Sequence, residues 1–359
     1  MRLPIRAIIA AAALGLPVGV PHARGDGQPD ASPRPAGSPA QARKLLSQRL
    51  LPVPKDGGFS MKGYYVWCPS LIKVGDTYHL FASRWPKAST FPDGYRTQSE
   101  IVRAVADRPE GPYRFVEQVI GPREGGFWDG RMAHNPKIVR LGRQYALFYI
   151  GSNLNGKTGE RAIGFATADE ITGPWRRIDK PLPNLVQSKR CPVCDATNPA
   201  PCVRPDGTLL LGYRQAPEML ICIASARSLA GPWTVENRDV WRNLPQKPDW
   251  NRYEDPDIAY VNGRYEMLVE DNNTERPLAG FGCGIHFYSD DGVHWQLSNP
   301  PAAYTVDIAW DDGSKTKVYR RERPQMFVEG GRLTHILTAV KDDRSQDESR
   351  IVIQPIAPE

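Results

Sequence analysis

The chain has 359 residues, of which 24% are charged and 40% hydrophobic, with 34 Pro and 32 Gly. This usage indicates a globular protein of many short elements and excludes a coiled coil or whole-chain disorder. The 46 Lys and Arg against 40 Asp and Glu leave a net charge of +6, too small and too evenly spread to build a nucleic-acid-binding face, although it permits a mild preference for anionic ligands.

At the start of the chain, Arg2 and Arg6 precede the apolar run AIIAAAALGLPVGV at 7–20, which ends at Pro21-His22-Ala23. A charged part, an apolar part and a small-residue part in that order predict an export signal over 1–23. The run is short for a bilayer span, so the mature protein is expected to be secreted or periplasmic with no stable membrane insertion. Residues 24–40 lack an apolar face and are rich in Pro, Gly and Ser, the composition of a flexible linker. One folded domain is expected over 41–359.

Beyond this point internal repetition dominates. Five segments share a polar tip, a Pro, an apolar strand, a Gly turn and a second apolar strand: CPSLIKVGDTYHLFAS, HNPKIVRLGRQYALFYIGS, TNPAPCVRPDGTLLLGYR, EDPDIAYVNGRYEMLVED and ERPQMFVEGGRLTHILTAV. Each predicts a hairpin. After the first four comes another strand and a turn ending in an aromatic residue, at Tyr113, Trp175, Trp233 and Trp295.

The repeated prolines Pro69, Pro136, Pro199, Pro256 and Pro324 recur 67, 63, 57 and 68 residues apart, which leaves room for four strands and long loops per unit. A four-stranded sheet cannot bury both faces alone. Five sheets set radially around an axis bury each face against a neighbour, so the expected fold is an all-β, five-bladed β-propeller, in preference to a pair of β-sandwich domains. The fifth unit ends after RIVIQP without an outer strand, and residues 45–64 are expected to complete that blade or cover the ring.

Propeller geometry brings the starts of the innermost strands to one mouth of the axis. Those tips are Trp67-Cys68, His134-Asn135, Thr197-Asn198, Glu254-Asp255 and Glu322-Arg323. Carboxylates crowded near one axis raise the Coulomb energy unless a ligand or reaction uses them. Cleavage of a glycosidic bond needs one protonated carboxyl group and one carboxylate, which crowding supplies. The candidate catalytic residues are therefore Glu254, Asp255, Glu322 and Asp129, the last in the loop FWDGRMAHNP, with Asp195 as a weaker member. Trp67 and Trp128 are candidates for stacking on a sugar. Arg131, Arg321 and Arg323 are candidates for pairing with the acids or clamping an anionic sugar. His134, Asn135 and Asn198 complete the candidate binding set.

Over about residues 64–356 this framework resembles the five-bladed propeller glycosidases, of which glycoside hydrolase family 43 is the best known. The resemblance implies an inverting hydrolase whose base is an Asp before the first-blade Pro, whose second Asp precedes the third-blade Pro and tunes the acid, and whose acid is the Glu of a Glu-x-Pro in blade four. Glu254-Asp255-Pro256 matches the acid. The other two positions hold Cys68 and Asn198, so the base is expected from Asp129, Asp255 or Glu322, with His134 as a further proton-transfer candidate. The expected function is an exported, monomeric, exo-acting and inverting hydrolase of a plant or algal poly- or oligosaccharide. Its rivals are a carbohydrate-binding propeller without turnover, and a fructosidase or glycoside phosphorylase on the same scaffold.

Among the six cysteines, Cys191 and Cys194 form a C-x-x-C without a second pair or a βαβ setting, which suits a loop disulfide better than zinc. Cys202 and Cys222 are expected on non-adjacent strands of one blade, too far apart to pair. No cofactor is implied. The oxygen-bearing tips would admit a structural Ca2+ in the channel, but no EF-hand spacing occurs. Phosphate loops, serine-hydrolase elbows and H-E-x-x-H strings are absent, and Asn272-Asn273-Thr274 matches a glycosylation sequon only as a short string.

Overall fold

The computed structural model describes residues 45–157, 160–186, 195–242, 253–343 and 348–359. The expected leader and linker, together with Cys191 and Cys194, lie outside them. Five antiparallel sheets succeed one another along the chain, each built from one sequence repeat. The first blade comprises β1 (Tyr64–Val74), β2 (Thr77–Pro86), β3 (Glu100–Ala106) and β4 (Arg114–Ile120). The second comprises β5 (Met132–Leu141), β6 (Gln144–Ser152), β7 (Ala162–Ala168) and β8 (Arg176–Arg177). The third is β9 (Asp195–Val203), β10 (Leu209–Ala216), β11 (Leu220–Ala226) and β12 (Thr234–Asn237), and the fourth is β13 (Tyr253–Val261), β14 (Arg264–Asp271), β15 (Cys283–Ser289) and β16 (Gln296–Tyr304). A short hairpin, β17 (Asp307–Ala309) and β18 (Lys315–Lys317), precedes the fifth sheet of β19 (Arg320–Glu329), β20 (Arg332–Lys341) and β21 (Arg350–Pro355).

The innermost strands β1, β5, β9, β13 and β19 pack side by side in that order, and β19 returns to β1 to close the ring. The core lies between the blades, because each sheet presents an apolar face to each neighbour. The aromatic residue that ends each outer turn wedges into the seam with the preceding blade. Trp175 meets Phe81 at 5.8 Å across the first and second blades, and Trp233 meets Phe148 at 6.4 Å across the second and third. Trp295 lies in the core shared by the third and fourth blades and Tyr113 in that shared by the first and fifth. Met326, Ile336 and Leu268 fill the seam between the fourth and fifth. Cys68, Cys202, Cys222 and Cys283 are free, buried thiols, as expected for Cys202 and Cys222 on β9 and β11.

Residues 45–63 close the fifth blade. The N–H groups of Leu51 and Phe59 donate to the carbonyls of Pro355 and Ile351 on β21, and the Ile351 N–H returns a bond to Phe59. Phe59 is buried against Tyr78, Leu337 and Ile351, so the start of the domain ties its end to the first blade. One helix was not expected. Residues 91–98 form α1 (Phe91–Gln98), with Thr90 capping the N–H of Asp93 at 3.3 Å and Pro92 in the first turn, two signals that favour a helix start. No helix among the described residues is long and apolar enough to cross a membrane. Replacing Phe59 with Ala is expected to destabilise the domain by about 3–5 kcal/mol, checked by the free energy of urea unfolding.

Candidate functional site

The residue before each repeated Pro has a positive φ: Cys68 at 55°, Asn135 at 57°, Asn198 at 55°, Asp255 at 58° and Arg323 at 58°. This left-handed conformation is uncommon for residues other than Gly, Asn and Asp, yet it recurs at all five equivalent positions. It accompanies a β-bulge at every tip. The register slips between Trp67 and Ser70, His134 and Lys137, Glu254 and Asp257, and Glu322 and Gln325, and on the third blade opposite Gly212 and Arg214. A bulge re-aims a side chain, and here it turns five toward the axis. Cys68, Asn135, Asn198, Asp255 and Arg323 line a gap of about 10 Å³, at the lower limit for one water.

Four of these side chains are linked. Asn135 Nδ2 donates to Asn198 Oδ1 at 3.0 Å, Asn198 Nδ2 donates to Asp255 Oδ1, and the Arg323 guanidinium donates to the same oxygen. On the other side, Cys68 Sγ lies 3.4 Å from His134 Nε2, whose Nδ1 is 2.8 Å from Ser99 Oγ. Burial holds the Cys68 thiol up at about 12, so it is no thiolate. His134 is held well below its ordinary value by burial and then by the Arg323 and Arg161 charges, which keep the ring neutral. Neither group fits proton donation at neutral pH.

Beside this floor stand the acids. Glu254 keeps 16% of its side chain exposed and accepts from the Arg214 guanidinium and, at 2.5 Å, from Asn272 Nδ2. Burial pushes its carboxyl group upward, but Arg214, Arg323, the Asn272 bond and Arg161 together outweigh it and hold Glu254 below the usual carboxylate range. Glu322, buried, accepts from Arg320 at 2.6 Å. Its carboxyl group moves the other way: burial raises it, the Arg320 and Arg323 charges pull it back, and the Asp255 and Glu254 charges add to the rise. Asp255 is likewise raised, first by burial, against Arg323. The same mouth therefore holds one acid shifted below its ordinary value and two shifted above it.

A fourth acid, Glu270, escapes the sequence reading. It pairs directly with Glu254 across the β13–β14 ladder and is 1% exposed. Arg214 faces Thr197 in the same way on the third blade. Both lie at the ends of second strands, and the bulge shifts each partner by one residue from the position that counting back from the hairpin turn would give. Asn272, noted in the sequence only as part of a sequon, is a partner of Glu254.

Several expected members lie elsewhere. Asp129 is fully buried away from the axial group, held by Arg123 at 2.6 Å, by the Tyr149 hydroxyl at 2.6 Å and by Arg177 at 3.5 Å. Because Tyr149 and Arg177 belong to β6 and β8, Asp129 anchors the loop that enters the second blade and does not reach the mouth. Trp128 stacks on Tyr149 with ring centroids 5.3 Å apart and donates to the Ile178 carbonyl, so it is packed with Asp129. Trp67, 2% exposed, offers no face to a sugar and packs against Phe91 of α1 at 5.0 Å. Buried Arg321 bonds Thr338, Gln354 and the Thr305 carbonyl, which makes it a brace of the fifth blade. Arg131 is exposed at the entry of β5, 3.3 Å from Asn155 Oδ1. Asp195 is paired with Arg161 at 2.9 Å. His134, Asn135, Asn198, Arg323, Asp255, Glu254 and Glu322 are the expected residues that the fold gathers.

A larger cavity of about 600 Å³ opens at the opposite end of the axis, lined by the later parts of all five inner strands. Its walls are mostly apolar, and its ionic groups are set in fixed pairs, Lys137 with Asp257 at 2.9 Å and Lys73 with Glu329 at 2.7 Å. The acid group lies at the other mouth. Among the described residues, no group of three or more His, Cys, Asp or Glu side chains is arranged to hold a metal ion.

No protein-family model matches the sequence, and neither does any curated protein. Solved structures do share the fold. A family 117 glycoside hydrolase produced by the marine bacterium Zobellia galactanivorans superposes with a TM-score of 0.61 at 16% identity, over 86% of this chain and 89% of its own. The native arabinanase of Bacillus subtilis gives 0.59 at 13% identity, over 83% and 96%. An exo-1,5-α-L-arabinanase from a bovine ruminal metagenomic library gives 0.58 at 15% identity, over 81% and 92%.

Arg214→Met removes the guanidinium that keeps Glu254 ionised. The stabilisation due to the depressed Glu254 is present above the carboxyl group's unfolded value and is lost as pH falls through the folded one. The variant is therefore expected to lose about 3–5 kcal/mol at neutral pH and to shift Glu254 upward, read by urea unfolding and by carboxyl-carbon NMR titration. The five-bladed ring is the fold that this chain shares with these glycoside hydrolases.

Proposed function

We propose that the protein is an exported glycoside hydrolase that releases a sugar from the non-reducing end of a plant or algal poly- or oligosaccharide by single displacement. The observation that carries this reading is the pair Glu254 and Glu322, at one axial mouth but biased toward opposite protonation states. Glycosidic cleavage needs such a pair, one group giving a proton to the leaving oxygen and the other taking one from the attacking water. The shared fold supports the same class of reaction, and the exo-arabinanase among the structural neighbours supports an exo mode.

The roles differ from those the family resemblance implies. Glu254 stands at the family's acid position, yet Arg214, Arg323 and Asn272 favour its ionised form, so we assign it to water activation. Glu322, whose carboxyl group is raised first by burial and further by its acidic neighbours, takes the role of donor. Asp255, bonded to Asn198 and Arg323, orients the pair from the floor. Arg323, 16% exposed at the axial mouth, favours a sugar with an anionic group.

The experiment is incubation with arabinose, galactose and uronate oligosaccharides, read by released reducing sugar, with NMR of the first product giving its anomeric form. Glu254→Gln and Glu322→Gln are each expected to lower kcat by about 10³-fold or more while leaving oligosaccharide binding measurable. If no oligosaccharide is cleaved yet several bind, the protein is a carbohydrate-binding propeller, a reading favoured by the neutral Cys68 and Asn198 at two axial positions. Cleavage that depends on phosphate would identify a phosphorylase.

A further inference from the structure

Glu270 is the most deeply buried member of the acid group. It sits on β14 at 1% exposure, opposite Glu254 in the ladder. Its carboxyl group is in hydrogen-bonding contact with that of Asp255, and neither Glu270 Oε2 nor Asp255 Oδ2 meets a donor side chain. Two carboxylates cannot bond to each other. A contact between them becomes favourable when one carries a proton, which is also what buried like charges at close range require.

We propose that Glu270 is a positioning residue of this site: it holds one proton shared with Asp255, and so fixes how much negative charge surrounds Glu322. With that proton in place Asp255 keeps its charge, because both of its oxygens are satisfied, Oδ1 by Asn198 and Arg323 and the other side by Glu270. The Asp255 charge in turn helps Glu322 retain the proton it donates. The groups that face Glu270 are Glu254 and Asp255 on β13, Glu322 and Arg320 on β19, and the Tyr304 hydroxyl on β16. Arg320 is already engaged by Glu322 at 2.6 Å, and Arg323 and Arg214 are engaged by Asp255 and Glu254, so the cationic side chains here are committed to the other acids. Burial and the charges of Glu322, Asp255 and Glu254 all push Glu270 the same way, well above its ordinary value.

The inference deepens the hydrolase reading and rests on it for its kinetic test alone. Gln can donate to Asp255 as a protonated Glu does, whereas Leu cannot. In Glu270→Leu, Asp255 loses its donor and takes up a proton. Glu322 then loses a negative neighbour and ionises more readily, so the alkaline limb of kcat/KM is expected to move to lower pH by about one unit. Glu270→Gln is expected to return the limb to its wild-type position. A limb unmoved in Glu270→Leu, or displaced equally in both variants, overturns the proposal.

Two readouts need no turnover. The infrared difference between wild type and Glu270→Gln at neutral pH should contain the carbonyl stretch of a protonated carboxyl group, and its absence would refute the shared proton. A group protonated in the fold but ionised when unfolded lowers stability as pH rises above its unfolded value. Glu270→Gln should therefore raise the melting temperature more at about pH 7.5 than at about pH 4.5, and an equal effect at both counts against the proposal. If wild type cleaves no glycan, the hydrolase reading fails while these two measurements still decide the protonation of Glu270.

Discussion

The left-handed residue before each repeated proline is the constraint on which the site depends. A regular strand would alternate its side chains between the two interblade faces and deliver nothing to the axis. The bulge at each tip breaks that alternation once per blade and turns Cys68, Asn135, Asn198, Asp255 and Arg323 inward. Proline suits the next position because it donates no ladder hydrogen bond at a point where the ladder is already interrupted. The conformation is unfavourable for Cys and Arg taken singly, and it persists because the closed ring fixes the backbone on both sides.

Inward aim alone would create an unstable axis if all five side chains were acids. Here the floor combines a thiol, two amides, one carboxylate and one guanidinium, and the last four are linked by hydrogen bonds. The neutral Cys68 and Asn198, at positions where the family resemblance implies Asp, make the floor nearly self-sufficient. The acids then collect on one side of the ring, at Glu254, Asp255, Glu270 and Glu322. Arginines partner three of them, and the fourth, Glu270, depends on a proton. Burial that raises Asp255, Glu270 and Glu322 costs stability at neutral pH, and such a cost is typical of a site shaped for reaction rather than for folding. The interblade cores, with an aromatic wedge in four of the five seams, offset it.

The fold was legible because its signals are local. A proline and a glycine turn recur in all five units and a Gly-Pro-aromatic turn in three; each specifies a short stretch of backbone, and the recurrence leaves few ways to bury ten sheet faces. The tip residues were legible for the same reason. Asp129, Trp128 and Trp67 were not, since their proximity to a tip in sequence said nothing about the side of the blade they face. Asp129 met Tyr149 and Arg177 from later strands, and Trp67 was covered by a helix formed in a loop without apolar periodicity. The partners Glu270, Arg214 and Asn272 were hidden by the bulge, which moves the ladder by one residue.

The sequence by itself determined the number of blades and the set of tips that converge, and left residues 45–64 to complete the fifth blade or cover the ring, because hydrophobic pattern and turn chemistry act over a few residues and repeat. Only the tertiary structure decided which acids share the mouth, which of them are shifted up or down and which tryptophans are packed out of reach. Those outcomes depend on burial and on charges brought together from positions far apart along the chain, such as Arg161, Arg214 and Arg323 around Glu254, and electrostatic energy follows distance in space rather than distance along the chain.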